Sequence, residues 1–403
     1  MRTRTEAGPK DPPYALINSC DTLVVGAGPA GLATSRELSR AGVAHVVLEC
    51  GDQIGQTWAH LYDNLVLHTA KRFSALPGLA FPSSTPRFPS RRDFLAYLHQ
   101  YADTFRVPVE THAEVASLHH DQVDGAWIAR TTAGAEVRAR AVVVATGIVS
   151  NPHIPEIPGR DRFAGRLLHS AEYRRPDGFT GRRVLVVGAG NSAGEISVEL
   201  ARAGADVTLA VRTGAFIVPR EIAGIPIQYF SVGLAWLPAR ARRLTTATIS
   251  RASALVRGPA VLPAPLPAAC PNVPLIGLRV ADLLRAGTIR LKGGVADFTT
   301  AGVRFVDDSE QPFDAVILAT GYRAAVGMLR GLIHLDDCGF AMRRHKVVSV
   351  DQPSLYFVGH NYDIRGGLFN IGRDARLAAG SIKAAVDGKS RTSIGTPPRP
   401  SEK

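Results

Sequence analysis

The stretch Asp21-Thr22-Leu23-Val24-Val25-Gly26-Ala27-Gly28-Pro29-Ala30-Gly31-Leu32 decides the fold. Thr22 to Val25 is a short apolar, β-branched run that reads as a buried strand. Pro29 to Ala41 reads as a helix with Leu32 and Leu38 on one face, and Val43 to Leu48 as a second strand. Between strand and helix, Gly26 permits a tight turn and Gly28 lets the backbone approach a pyrophosphate. Gly31, beside Ala30, lets helix and strand pack closely. Glu49 closes the second strand, where its carboxylate is placed to accept hydrogen bonds from a ribose 2′-hydroxyl. It would repel a 2′-phosphate, so this turn suits FAD or NAD rather than NADP.

The same pattern recurs from Arg183. Val184 to Val187 is a strand, Gly188-Ala189-Gly190-Asn191-Ser192-Ala193 a second glycine-rich turn, Ser192 to Ala203 a helix and Val207 to Val211 a strand. Ala193 stands where the third glycine would be, a permitted variant. Arg212 ends this strand where the first unit has Glu49, and a cation there suits the 2′-phosphate of NADPH. The alternative is a surface arginine of no consequence. Asn191 and Ser192 could bond the pyrophosphate. Two Ala-Thr-Gly strand ends, Ala145-Thr146-Gly147 and Ala319-Thr320-Gly321, could each bring the chain back towards its nucleotide turn.

Working outward, the expected fold class is α/β, with two Rossmann-like dinucleotide-binding domains, the NADPH domain inserted in the FAD domain. The boundaries expected are a loose N-terminal arm at 1–18, the first part of the FAD domain at 19–155, the NADPH domain with a helical, Pro-rich insertion at 156–309, the second part of the FAD domain at 310–387 and a polar tail at 388–403. Ile222 to Leu255 reads as helices that could cover a cleft, and the prolines between residues 256 and 274 as a connector.

The 403 residues carry a net charge of +12, which invites a nucleic-acid reading. Only seven of the 47 basic residues are Lys, and the arginines are scattered singly or in pairs such as Arg182-Arg183, so a solvated surface is the expectation and nucleic acid is not an expected partner. The longest apolar stretch, Ile222 to Pro238, is broken by Pro226, Gln228, Ser231 and Gly233, and the N-terminus lacks an apolar signal core. No integral membrane association is expected, and the setting expected is cytoplasmic. Cys20, Cys50, Cys270 and Cys338 make no tight pair, which disfavours a structural zinc site, a disulfide scaffold and a dithiol redox centre. A homo-oligomer is left open.

Between the two glycine-rich turns stands Phe163-x-Gly165-x-x-x-His169-x-x-x-Tyr173. On this motif and its order the chain resembles the class B flavoprotein monooxygenases, the flavin-containing monooxygenase superfamily. The Baeyer–Villiger branch usually has Trp where Tyr173 stands. The resemblance to the plant YUCCA-type enzymes is closer. It is carried by Tyr62-Asp63-x-Leu65-x-Leu67-His68, Lys71, Phe73, Leu76-Pro77, Phe81-Pro82, Phe88-Pro89, Pro219-Arg220-Glu221 and Leu318 to Tyr322. It runs from about Cys20 to about Ala385. The chain departs from the pattern at Ala70, near which animal-type enzymes have an Asn, and at Phe357 to Asp363 and Gly366 to Asn370.

What the resemblance implies is a hydride passed from NADPH to FAD, oxygen captured as a C4a-(hydro)peroxyflavin, and transfer of one oxygen to a small organic substrate. The transfer is either heteroatom oxygenation or YUCCA-like oxidative decarboxylation of an α-keto acid. A flavin-dependent NAD(P)H reductase or oxidase without oxygen insertion is the alternative. Flavin contacts are expected at Gln56, Trp58, His68, Val115 and Gly359, and substrate-pocket roles at His360, Asn361, Asn370 and His68. Lys71 and Arg220 could meet an anionic substrate or be solvated. His169 either orients the linker near NADP(H) or is a packed histidine.

Overall fold

The computed structural model describes residues 19–235, 259–265, 274–361 and 365–392. The first βαβ unit is β1 (Ser19–Val25), α1 (Pro29–Arg40) and β2 (His45–Leu48). Gly28 is the N-cap of α1 and Pro29 its first residue, so a fixed proline φ starts the helix where no backbone donor is needed. Then follow α2 (Arg91–Phe105), β3 (Val109–Glu110), β4 (Val115–His120), β5 (Trp127–Thr131) and β6 (Glu136–Val144). Ser90 and Asp93 close a reciprocal capping box on α2, with bonds of 2.9 and 3.1 Å.

The second unit contains β7 (Arg166–His169), β8 (Arg183–Val187), α3 (Asn191–Arg202), β9 (Asp206–Ala210), α4 (Ile227–Ala235), β10 (Ile289–Lys292) and β11 (Ala315–Leu318). The chain finishes with β12 (Arg343–Arg344), β13 (Val348–Ser349), β14 (Leu355–Phe357) and α5 (Gly367–Thr392). The first sheet runs β12-β13-β14-β6-β1-β2-β3, with β5 on β6 and β4 on β5. The second is all parallel in the order β10-β9-β8-β11-β7.

Burial explains the strand sequences. The runs Leu23–Val25 of β1, Ala141–Val144 of β6 and Val184–Val186 of β8 are apolar because both faces of a parallel sheet are covered there. On one face of the first sheet, α1 and α5 pack with Leu32, Leu38, Ala375 and Ile382 among the core. Phe94, Tyr97 and Tyr101 of α2 join them, each wholly buried and contributing about 1.5–3 kcal/mol. α3 covers the second sheet through Ile196 and Leu200.

Several expectations are corrected here. β11 belongs to the second sheet, between β8 and β7, so the chain returns to the first unit after Leu318 rather than at 310. An apolar four-residue strand carries no label of its sheet. α5 extends to Thr392, into the segment expected as a tail from 388. The Ile222–Leu255 stretch begins as a small hairpin, Glu221–Ile222 with Ile225–Pro226, before α4. Its remainder, part of the Pro-rich connector, the arm at 1–18 and residues 393–403 lie outside the described residues. Cys338 is disulfide-bonded although no cysteine has a near neighbour in sequence, while Cys20 and Cys50 are free. Distance along the chain does not fix distance in space; Cys270 lies outside the described residues.

Candidate active site between the two sheets

Both glycine-rich turns open onto one cavity of about 2500 Å3. A single small-molecule site usually occupies about 300–1,000 Å3, so there is room for more than one ligand. The turns are built alike. A Cβ at Gly26 would stand 2.8 Å from the Ala145 carbonyl, and one at Gly188 would stand 2.2 Å from the Ala319 carbonyl. Each Ala-Thr-Gly strand end thus backs the first glycine of its own unit. A Cβ at Gly28 or Gly190 would meet nothing within 4 Å. There the absent side chain leaves room at the start of α1 and α3, whose N-terminal donors face the space.

The two threonines have a different task from ligand binding. Thr146 Oγ1 donates to the Ala325 carbonyl at 2.6 Å, and Thr320 Oγ1 donates to the His153 carbonyl at 2.5 Å. Pro152 and Tyr322 form a bridge between these segments, and Asn151 Nδ2 donates to the Ala324 carbonyl at 3.1 Å. The two chain crossings between the units therefore run side by side as one hydrogen-bonded strap.

Gly26, Gly28, Ala30, Glu49, Gln56, Trp58, His68, Val115, Ala145, Thr146, Gly147, Gly190, Asn191, Ser192, Ala319, Gly321 and Gly359 line the cavity. Gly31, Gly188, Ala193 and Thr320 lie behind this lining and shape it. A Cβ at Gly31 would come within 1.8 Å of the Gly26 carbonyl, which forces glycine there. Glu49 is buried, and its carboxylate accepts from the backbone N–H groups of Ala27 at 2.6 Å and Gly51 at 3.1 Å. Asn191 Oδ1 is occupied by the Ile276 N–H at 2.7 Å. Gln56 Oε1 is buried in the wall without a partner, an acceptor that a ligand donor would satisfy. Trp58 packs edge-on against Phe94, with centroids 4.5 Å apart.

The remaining expected residues are placed as follows. His360, Asn361 and Asn370 line a separate, smaller cavity behind Gly359, because the strand end turns them away from the large one. Arg212 is exposed just beyond β9 and outside the lining. His169 is a packed histidine. Its Nδ1 accepts from the Ala171 N–H at 3.1 Å and its Nε2 meets the Gly321 carbonyl at 3.2 Å.

One group escaped the sequence reading altogether. Glu195 of α3 projects from the second unit onto the first, where the Tyr62 hydroxyl donates to it. Arg220 Nη2 is 3.4 Å from Glu195 and His68 Nε2 is 3.6 Å away. Burial raises the Glu195 carboxyl to about 7, against the lowering effects of Tyr62 and Arg220. Burial, then the nearby Arg220 charge, pushes His68 down to about 4, so the imidazole in the cavity wall is neutral at neutral pH. Gln228 of α4 donates to the His68 carbonyl at 2.8 Å. An unremarkable helical glutamate carries no local signal of this role.

Comparison with known proteins places this geometry. The model of the pyridine nucleotide-disulphide oxidoreductase family matches residues 23–219. An indole-3-pyruvate monooxygenase YUCCA1 of Oryza sativa subsp. japonica is 36% identical over 378 residues, covering 91% of this chain and 89% of that protein. A probable indole-3-pyruvate monooxygenase YUCCA1 of Arabidopsis thaliana is 36% identical over 372 residues, covering 89% of each. Among solved structures, a flavin-containing monooxygenase from Stenotrophomonas maltophilia superposes with a TM-score of 0.73 at 26% identity, covering 92% of this chain and 100% of that one. With a shared mixed α/β fold and identity at this level over nearly its whole length, the chain belongs to the flavin-dependent monooxygenases, in the YUCCA-type branch of the flavin-containing monooxygenase superfamily.

Proposed function

We propose that the two units are Rossmann-like dinucleotide-binding domains, that FAD sits on the first glycine-rich turn and NADPH on the second, and that the protein uses both to place one atom of O2 on a small organic substrate. The observation that carries this reading is the opening of both turns, Gly28 and Gly190, into one shared cavity. The orphaned Gln56 acceptor and the room at Gly28 fit a flavin dinucleotide. Bound flavin would supply two-electron chemistry with dioxygen.

The chain's own part is placement and exclusion of water. Gly26, Gly28, Ala30, Glu49, Gln56, Trp58, Val115, Ala145 to Gly147 and Gly359 would hold FAD. Gly190, Asn191 and Ser192 would hold NADPH, with Arg212 exposed at the end of β9 for a 2′-phosphate. Apolar groups such as Ile148, Ile217, Met328 and Leu368 line the interior, which favours a dry site. The Glu195 cluster holds a neutral His68 in the wall. The relatives named for indole-3-pyruvate make an α-keto acid one substrate class to test, beside amines and sulfides.

The test is turnover under 18O2 with NADPH and a panel of α-keto acids, amines and sulfides, read by mass spectrometry. One labelled oxygen in product supports the reading. NADPH oxidation that yields only hydrogen peroxide with every class would instead assign a reductase or oxidase.

A further inference from the structure

The smaller cavity, of about 230 Å3, lies between the 336–340 loop, β12 and one face of α5. Asn370, Arg373 and Asp374 recur on that helix face at helical spacing. It adjoins the large cavity, with which it shares Asp336, Phe340 and Arg365.

His360 and Asp374 are its most buried polar groups. His360 is 2% exposed, and neither Nδ1 nor Nε2 has a hydrogen-bond partner. Phe340 and Phe357 flank the ring at 5.7 and 5.4 Å and offer no acceptor. Burial, with the Arg343 charge nearby, pushes its pKa down to about 3, so the ring is neutral. A neutral imidazole still carries one N–H, and leaving a buried donor unmet costs about 1–3 kcal/mol.

Arg343 is the second unusual group. Its guanidinium is partly buried, and desolvation lowers its pKa. Its polar contacts are the Ala341 carbonyl at 2.9 Å and Asn361 Oδ1 at 3.4 Å, with no carboxylate at ion-pair distance among the described residues. Two carboxylates line the cavity and act on Arg343 through space, without reaching ion-pair distance, and each holds hydrogen bonds to other groups. Asp374 accepts from Asn361 Nδ2 at 2.8 Å, and Asp336 accepts from the backbone N–H groups of Cys338 and Phe340, each at 2.9 Å. Lys346 and Arg373 add two exposed cations to the lining.

We propose that this cavity binds a small oxyanion, a carboxylate or a phosphate group, with Arg343 as its charge partner and the His360 N–H as its buried donor. An oxyanion answers both irregularities at once. It supplies a counter-charge within bonding distance, which neither Asp374 nor Asp336 gives, and an acceptor for the His360 N–H, and charge-assisted bonds of this kind are about twice as strong as neutral ones. Lys346 and Arg373 would draw the anion in. The site does not depend on which reaction the large cavity performs.

The test is calorimetric titration of the FAD-loaded full chain with inorganic phosphate and, separately, with acetate, at ionic strength fixed with chloride and in excess NADP+. Saturable binding of at least one is expected. Arg343→Gln should weaken it by about tenfold or more, and Lys346→Gln, at an exposed position, by a few-fold. Arg212→Gln should leave it unchanged. Phosphate alone binding identifies a free inorganic effector; acetate alone identifies the carboxylate of an organic acid. Failure of both anions to bind, unchanged affinity in Arg343→Gln, or loss in Arg212→Gln would each overturn the proposal.

Discussion

The Tyr62 hydroxyl donates to the Glu195 carboxylate across the seam between the two units. Tyr62 comes from the loop after β2 and is 5% exposed; Glu195 comes from α3. The bond joins the loop after β2 of the first unit to the helix that follows the glycine-rich turn of the second. Tyr62→Phe removes one donor and should cost about 1–2 kcal/mol. Glu195→Ala leaves both the Tyr62 hydroxyl and Arg220 without their carboxylate, and should cost about 2–4 kcal/mol. Urea unfolding midpoints of the two variants, compared with the parent chain, measure the difference. Equal losses would show that Arg220 gains nothing from Glu195.

Acid should destabilise the chain in a defined window. Folded His68 and His360 stay neutral down to about 4 and about 3, whereas an ordinary histidine protonates near 6.5. Their contribution is complete above pH 6.5 and is lost as pH falls towards 4 and 3. Glu195 works in the opposite sense: raised from 4.5 to about 7, it favours the fold below 4.5, an advantage lost as pH rises through 7. The net loss expected between pH 6.5 and 4 is on the order of 1–3 kcal/mol. Glu195→Gln removes the opposing term and should steepen the decline. Denaturation midpoints across this range test both signs.

Substitutions at the glycines should separate folding from ligand retention. A side chain at Gly28 or Gly190 enters open space, so Gly28→Val and Gly190→Val should fold with stability within about 0.5 kcal/mol of the parent. Gly28→Val should be purified without flavin colour. Gly190→Val should keep the flavin yet bind NADPH at least about a hundredfold more weakly, a loss of about 2.7 kcal/mol. Gly31→Ala, whose Cβ would stand 1.8 Å from the Gly26 carbonyl, should fail to fold.

The thiols should be sluggish. Burial and the neighbouring Asp21 push Cys20 up to about 12, and burial with Glu49 pushes Cys50 up to about 11. Only thiolate reacts readily. Iodoacetamide at pH 7.5 should therefore label neither appreciably in the folded chain, and an unreduced digest should show Cys338 in a cross-linked peptide. Rapid labelling of Cys50 would show that its carboxylate neighbour does not suppress the thiolate.

The sequence made both βαβ units readable because each is a local arrangement. Turn glycines, helix start and strand ends lie within about thirty residues, and one-dimensional spacing mirrors their geometry. The resemblance carried by Phe163 to Tyr173 placed the family on the same footing. What could not be read was created by packing between distant segments. β11 joins β8 from more than a hundred residues away. Glu195 acquires its raised pKa only where α3 meets Tyr62 and Arg220. His360, Asn361 and Asn370, expected in the substrate pocket, lie instead in a neighbouring chamber, where β14's end and α5 bring them together. The Cys338 bond escaped for the same reason, since tight spacing is sufficient for pairing but not necessary.

The strap between the units constrains how they can move. Thr146 and Thr320 fasten its two crossings to each other, and each belongs to the strand end that backs the first glycine of one turn. Opening the cleft by spreading the crossings would break those bonds, whereas torsion about their common axis would keep them. The strand ends that back Gly26 and Gly188 are therefore tied to each other through these crossings. The joint that links the halves is thus held by two hydroxyl groups, each bonded to a carbonyl of the opposite crossing.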